Sequence, residues 1–226
     1  SDVRQVVAVL VVVLGVAALA SAIKWYSEQP RRMEGEFNIA VADIKMAADE
    51  SEAFYGQILT QQIASILSAE LEPIDSGVQL SAVNMPLVND EEGARRLAKQ
   101  VNADIVIYGE AEALPGADIR LTPHFYVNDT KHPTVYDVNG SDFLEKAFQI
   151  TKESLDEEPP DTAQIADRAA LMTDFTQALV YLAFDDPAAA GRKIESAVER
   201  VEHDEALAGL QPKVHPHVLR HSFATH

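Results

Sequence analysis

The sequence predicts an α/β domain: a small, partly parallel sheet with covering helices, preceded by one transmembrane helix and followed by a helical hairpin. Three observations carry this. An uncharged run of 18 residues, Val6 to Ile23, stands near the start of the chain. Between residues 37 and 127, short runs of strand character alternate with segments of helical spacing, the order that produces parallel strands joined by crossover helices. Two further helical patterns then meet at the tight link Asp185-Asp186-Pro187.

The first element is the apolar run. At about 1.5 Å per residue it spans roughly 27 Å as a helix, close to the thickness of a hydrocarbon core. Residues 1–5 flank it and 6–26 form the expected transmembrane helix. Val6, Leu10, Leu14, Leu19 and Ile23 face lipid, and Trp25 and Tyr26 sit at the interface, where an aromatic belt belongs. Arg4 precedes the run and Lys24, Arg31 and Arg32 follow it, so the positive-inside rule predicts a single-pass protein with a cytoplasmic body. A cleaved signal peptide is the competing reading, since Ala20-Ser21-Ala22 resembles a cleavage site. The chain begins at Ser1, and residues before it would make the run internal.

Residues 27–35 read as a linker, and 36–155 as the α/β domain. FNIAVADI, from Phe37, suits a buried strand. Ser51 to Leu71 predicts a helix capped by Ser51 and stopped by Pro73, with Phe54, Ile58, Ile63, Ile66 and Leu67 on one stripe. Val78 to Val83 is a second strand. Asn89 or Asp90 opens a helix through Val101, with Ala94, Leu97, Ala98 and Val101 inward. Asp104 to Ala113 is a third strand, its IVIY run suggesting a sheet centre. Ile119 to Val127 alternates as a fourth, and Pro133 to Val138 suits an edge strand. Ser141 to Ser154 fits either helix or strand. The acidic, Pro-rich stretch 156–161 reads as a linker, and 162–211 as the hairpin, with helices over 162–184 and 188–202.

Charge and composition limit the chemistry. The chain carries 18 basic and 36 acidic residues and no cysteine. Disulfides, thiolate metal sites and cysteine nucleophiles are therefore excluded. Residues 1–33 are net +2 and residues 212–226 net +2, which leaves the middle at −22. Such a body repels phosphate backbones, so no nucleic-acid partner is expected for it. GEAEALPG, from Gly109, lacks the Lys-Ser/Thr of a phosphate loop, and no G-x-S-x-G elbow is present. Glu110 and Glu112 fall on one strand face, as chance provides in so acidic a chain, and His124 reads as structural. His215, His217 and His221 have a spacing that could ligate a metal.

Several strings resemble known families. FNIAVADI, a long helix ending in LSAEL, and ARRLAKQVNADIVIYGE together resemble the TolB amino-terminal-like α/β domain, which implies a module that often precedes tetratricopeptide repeats in bacterial membrane proteins. The hairpin resembles one tetratricopeptide repeat. Ala178, Tyr181, Ala190, Ile194 and Ala197 match the family's packing positions and Asp186 its turn, while Gln177 departs from it. One repeat is fewer than the roughly three such arrays need, which implies a truncated array. PKVHPHVLRHSFATH, residues 212–226, resembles the second conserved box of XerC/XerD-type tyrosine recombinases. That resemblance gives His217 and Arg220 phosphate-contacting roles. The family's first Arg box and its Tyr are missing, so this tail reads as foreign, and the resemblance accounts for its histidines without a metal.

The expected function is a membrane-anchored, non-catalytic binding and scaffold module, with no cofactor. It would meet the membrane, a protein partner through the repeats, and an unidentified small ligand. Two alternatives remain: a fragment of a DNA strand-exchange recombinase, on the tail alone, and an accessory segment of a larger signalling protein with its enzymatic domain upstream.

Overall fold

A computed structural model describes residues 19, 21, 24, 29–47, 53–74, 77–116, 118–128, 131, 147–156 and 163–203. The described elements run β1 (Phe37–Val41), β2 (Lys45–Met46), α1 (Ala53–Leu71), β3 (Val78–Ser81), α2 (Glu91–Val101), β4 (Ile105–Ala113), β5 (Asp118–Val127), β6 (Phe148–Thr151), α3 (Lys152–Asp156), α4 (Ala163–Ala183) and α5 (Pro187–His203). Strand order is β3-β1-β4-β5-β6, with β2 also paired to β4. β3, β1 and β4 are mutually parallel; β5 and β6 add on as antiparallel strands. The sheet is therefore mixed.

The period of two decides what each face meets. Phe37, Ile39 and Val41 of β1 join Ile105 and Ile107 of β4, and Leu59, Ile63 and Leu67 of α1 cover them. Ala40 and Ala42 with Val106 turn the other way, against Ala94, Leu97, Ala98 and Val101 of α2. Alanines in β1 leave room for α2 to approach closely. α2 forms where expected: Asp90 caps it by accepting from Gly93 N at 2.7 Å, and Asn102 ends it in the left-handed conformation at φ 62°. Gly109 allows β4 and β5 to close up, since a Cβ there would lie 2.7 Å from Thr122 O. Pro123, which has no amide hydrogen, falls beyond Leu121↔Phe148, where the described pairing with β6 ends.

The amino edge of the sheet is tied by side chains. Asp104 is 2 % exposed, and one of its carboxylate oxygens accepts from Asn38 N at 2.7 Å and from Lys131 Nζ at 3.2 Å. Asn38 Nδ2 donates to Gly35 O and Asn102 O, and Asn128 Nδ2 to Ala103 O. Asn102 Nδ2 reaches Met33 O at 3.0 Å. The starts of β1 and β4, the end of β5 and the C-cap of α2 thus share one network.

The hairpin departs from an independent repeat. Leu171, Met172, Phe175 and Leu179 of α4 belong to the same apolar cluster as the sheet and α1. Phe175 meets Phe125 of β5 edge-on, with ring centroids 5.9 Å apart, and Gln177 Nε2 donates to Glu70 O at 2.8 Å. Gln177, the residue that departs from the repeat pattern, thereby caps the last turn of α1. α5 packs on the opposite side of α4. Asp174 accepts there from Ser196 Oγ and Arg200 Nε, each at 2.9 Å. The turn is built by Asp185 in the left-handed region and Asp186, which accepts from Ala189 N at 2.9 Å, before Pro187 at the first helical position.

Residues 1–31 and 32–226 are separate compact units. The expected transmembrane helix over 6–26, and the single-pass membrane location derived from it, are corrected here. No helix among the described residues is long and apolar enough to cross a membrane. Of the anchor residues only Leu19 is described, helical and 62 % exposed. Val6, Leu10, Leu14, Ile23, Trp25 and Tyr26 lie outside the described residues, as do the expected edge strand over 133–138, the Ser51 cap and the tail 212–226. An uninterrupted apolar run states that a segment avoids water and leaves open what shields it. Of the ambiguous stretch 141–154, the described part from 147 is β6 running directly into α3, and 141–146 lie outside the described residues.

Asp104→Ala leaves Asn38 N without its acceptor and Lys131 without its buried partner. It should lower unfolding stability by about 2–3 kcal/mol, read as a shifted urea midpoint at unchanged slope.

Candidate functional site at the carboxyl edge of the sheet

β1 and β3 are neighbours, and both point their carboxyl ends to the same edge. The chain leaving β1 enters α1 on one face; the chain leaving β3 enters α2 on the other. That is a topological switch point, where open parallel sheets leave a crevice for ligands. The residues there are 42–44, after β1, and 82–88, after β3.

The first segment is a bulge. Val41 pairs with Ile107 and Lys45 with Glu110, so four residues advance along β1–β2 while three advance along β4. One extra residue is accommodated between them. Ala42 N still reaches Ile107 O at 2.8 Å, but Ile44 N turns to Thr60 Oγ1 of α1 at 3.0 Å. Thr60 Oγ1 in turn donates to Gly56 O at 2.9 Å. α1 approaches so closely that a Cβ on Gly56 would lie 2.4 Å from Ile44 O. Asp43 sits at the centre of this bulge and forms an isolated parallel bridge with Leu87.

The second segment buries two of its residues, three apart. Met85 and Val88 enter the core under α2, while Val83 is 71 % and Leu87 56 % exposed. Asn84 is left-handed at φ 55°, which turns the loop between them. The edge thus presents a half-buried carboxyl group beside two exposed aliphatic side chains. Among the described residues no hydrogen bond or ion pair reaches the Asp43 carboxylate. Burial raises its pKa above the ordinary 3.8.

The face of β4 and β5 beyond α2 forms a second polar surface. Tyr108 stacks on His124 with centroids 5.1 Å apart, and Arg95 of α2 lies 5.8 Å from the Tyr126 ring centroid. Glu110 pairs with Lys45 at 3.8 Å and Glu112 with Arg120 at 3.6 Å. The two glutamates share a face but each has its own cation, so this ledge is balanced in charge. Among the described residues no three His, Asp or Glu side chains gather as a metal site.

Of the residues singled out from the sequence, Ala178, Ala190, Ile194 and Ala197 are buried between α4, α5 and the sheet, and Tyr181 is partly buried beside them. They pack the core and do not line the carboxyl edge. His217 and Arg220, and the histidines around them, fall outside the described residues. Asp43 and Leu87 escaped sequence reasoning. The available signal was an acid at the end of a strand otherwise apolar or small, and a Pro-Leu-Val stretch too short for an element.

No family model matches the chain, and no curated protein matches it. Among solved structures it is similar to the PelC dodecamer from Paraburkholderia phytofirmans, with a TM-score of 0.32 and 16% identity over 61% of this chain and 89% of that one. A point variant of the same PelC gives 0.28 and 19% over 43% of this chain; there the chain spans 65% of the PelC chain, under two thirds of its length. At these TM-scores the likeness carries no argument. The TolB-like, tetratricopeptide and recombinase resemblances receive no support from the comparisons.

The raised pKa fixes a sign. The folded state holds the Asp43 proton more tightly than the unfolded chain, so stability falls as pH rises through the folded pKa. Asp43→Asn should therefore raise the melting temperature at neutral pH. It should also remove that step from a melting-temperature profile taken from the ordinary carboxylate range upward.

Proposed function

We propose that the chain is a non-catalytic binding module whose carboxyl edge, at the β1–β3 switch point, receives a ligand or a segment of a protein partner. One observation carries this reading: the bulge sets a desolvated carboxyl group without a described partner beside exposed Leu87. An unpaired, half-buried acid costs stability, and a bound group that hydrogen-bonds it offsets that cost. Catalysis would need a second group placed for proton transfer or attack within hydrogen-bond reach of the same reacting atom. Among the described residues, the α1 side chain that bonds the bulge, Thr60, is committed to Ile44 N and Gly56 O.

The hairpin suits a supporting part in such a module. Its inner face is already used in the common core, so α4 stiffens the sheet from the face opposite α2.

A fragment screen tests the reading. With methyl-labelled full chain, hits should concentrate on the methyls of Val83, Met85 and Leu87, and the bound compounds should be recovered unchanged. Hits that gather on the β4–β5 ledge or at the amino edge, with Val83 and Leu87 unmoved, would sink it.

A further inference from the structure

The geometry points to a lysine or arginine side chain of a partner protein as the occupant of this edge, its apolar stem lying along Leu87 and its cationic head meeting Asp43. The inference rests on the carboxyl-edge binding reading and names the chemistry that this edge would take.

Three observations converge on it. Asp43 and Leu87, both outside the named strands, are partners in an isolated parallel bridge, so their side chains leave the backbone as neighbours. An acid next to an exposed aliphatic group matches a side chain that is apolar along its length and charged at its tip. Of the other occupants, an anion would meet Asp43 itself and a chain of formal net charge −18. A hard divalent cation takes six or more oxygen ligands, and among the described residues the bulge brings one carboxylate. A wholly apolar ligand would cover Val83 and Leu87 but leave the carboxyl group more deeply desolvated and still unpaired. The long cationic side chain satisfies both groups at once.

Local electrostatics favour the same ligand. Lys45, the cation that follows Asp43 most closely in sequence, is engaged with Glu110 at 3.8 Å. Burial raises the Asp43 carboxyl group above its ordinary value. A guanidinium or ammonium brought to it forms a charge-assisted hydrogen bond in partly dry surroundings, stronger than the same contact on an open surface.

The test uses the full chain and two capped pentapeptides, Gly-Ala-Lys-Ala-Gly and the same sequence with norleucine in place of lysine. Binding is read from methyl shifts of Val83 and Leu87. The lysine peptide should shift both methyls and bind about tenfold more tightly than the norleucine peptide. Asp43→Asn should erase that difference. Leu87→Ser, which keeps the charge and is read from Val83 alone, should weaken both peptides alike. Arginine in the same place should bind at least as well as lysine. Equal shifts from the lysine and norleucine peptides, unchanged in Asp43→Asn, would overturn the cationic assignment and leave the edge standing as a binding site. No shift from either peptide also overturns it. The fragment screen above then shows separately whether the edge binds anything at all.

Discussion

The carboxylate of Asp104 is the contact on which the rest of the domain depends. β1 is far in sequence from α2 and β4, which follow one another, and the ends of all three meet at the amino edge around this buried group. A buried charge is costly unless it is bonded, and here it accepts from a backbone amide and a lysine. Because those donors come from different elements, the charge is satisfied only when the elements are in register. A slip of β1 by one residue would move Asn38 N away from Asp104 and exchange Phe37, Ile39 and Val41 with their outward neighbours. The polar network and the apolar alternation therefore specify the same register.

Two layers then close on the sheet for different reasons. The α2 side is built for close approach: Ala40 and Ala42 face Ala94 and Ala98, so helix and sheet meet with little side-chain volume between them. The α1 side is built for volume, with Phe37, Phe125, Leu59 and Phe175 filling a deeper space. α1 covers β1 and β3, but β5 and β6 extend beyond it. α4 covers the remainder, which explains why residues 171–180 are buried on every side: the sheet and α1 take one face and α5 the other. Asp174 is tolerated in that setting because Ser196, Lys193 and Arg200 of α5 all reach it.

Local patterns were legible in the sequence; long-range partners were not. The Asp90 cap, the four inward residues of α2, the IVIY centre of β4 and the Asp186 turn all follow from propensity and spacing within a few residues. α5 follows likewise. What the spacing could not show is that α4 would pack on β5 through Phe175 and Phe125, since nothing local distinguishes a helix face meeting a sheet from one meeting another repeat. Gln177 read as a departure from a repeat pattern because its partner, Glu70 O, lies more than a hundred residues earlier. The apolar run near the start illustrates the converse. Hydrophobicity without periodicity fixes only avoidance of water, and the membrane was one shield assigned to it. At the candidate site the determining feature is a one-residue mismatch between two strands. It exists only in the pairing of Val41 with Ile107 and Lys45 with Glu110, so neither strand displays it alone.

The two ends of the sheet differ in how they treat an acid, and that difference is the physical basis for placing recognition at one of them. At the amino edge, Asp104 is almost wholly buried and bonded to groups from separate elements. At the carboxyl edge, Asp43 is half-buried, and desolvation raises its pKa. The fold anchors the mismatch through Ile44 N to Thr60 and holds α1 close with Gly56. A bound group that hydrogen-bonds the half-buried carboxyl group would offset its desolvation there. The stem-and-head chemistry of a basic side chain fits that position because its two halves answer the two unmet needs there, an exposed aliphatic surface and an unpaired acid.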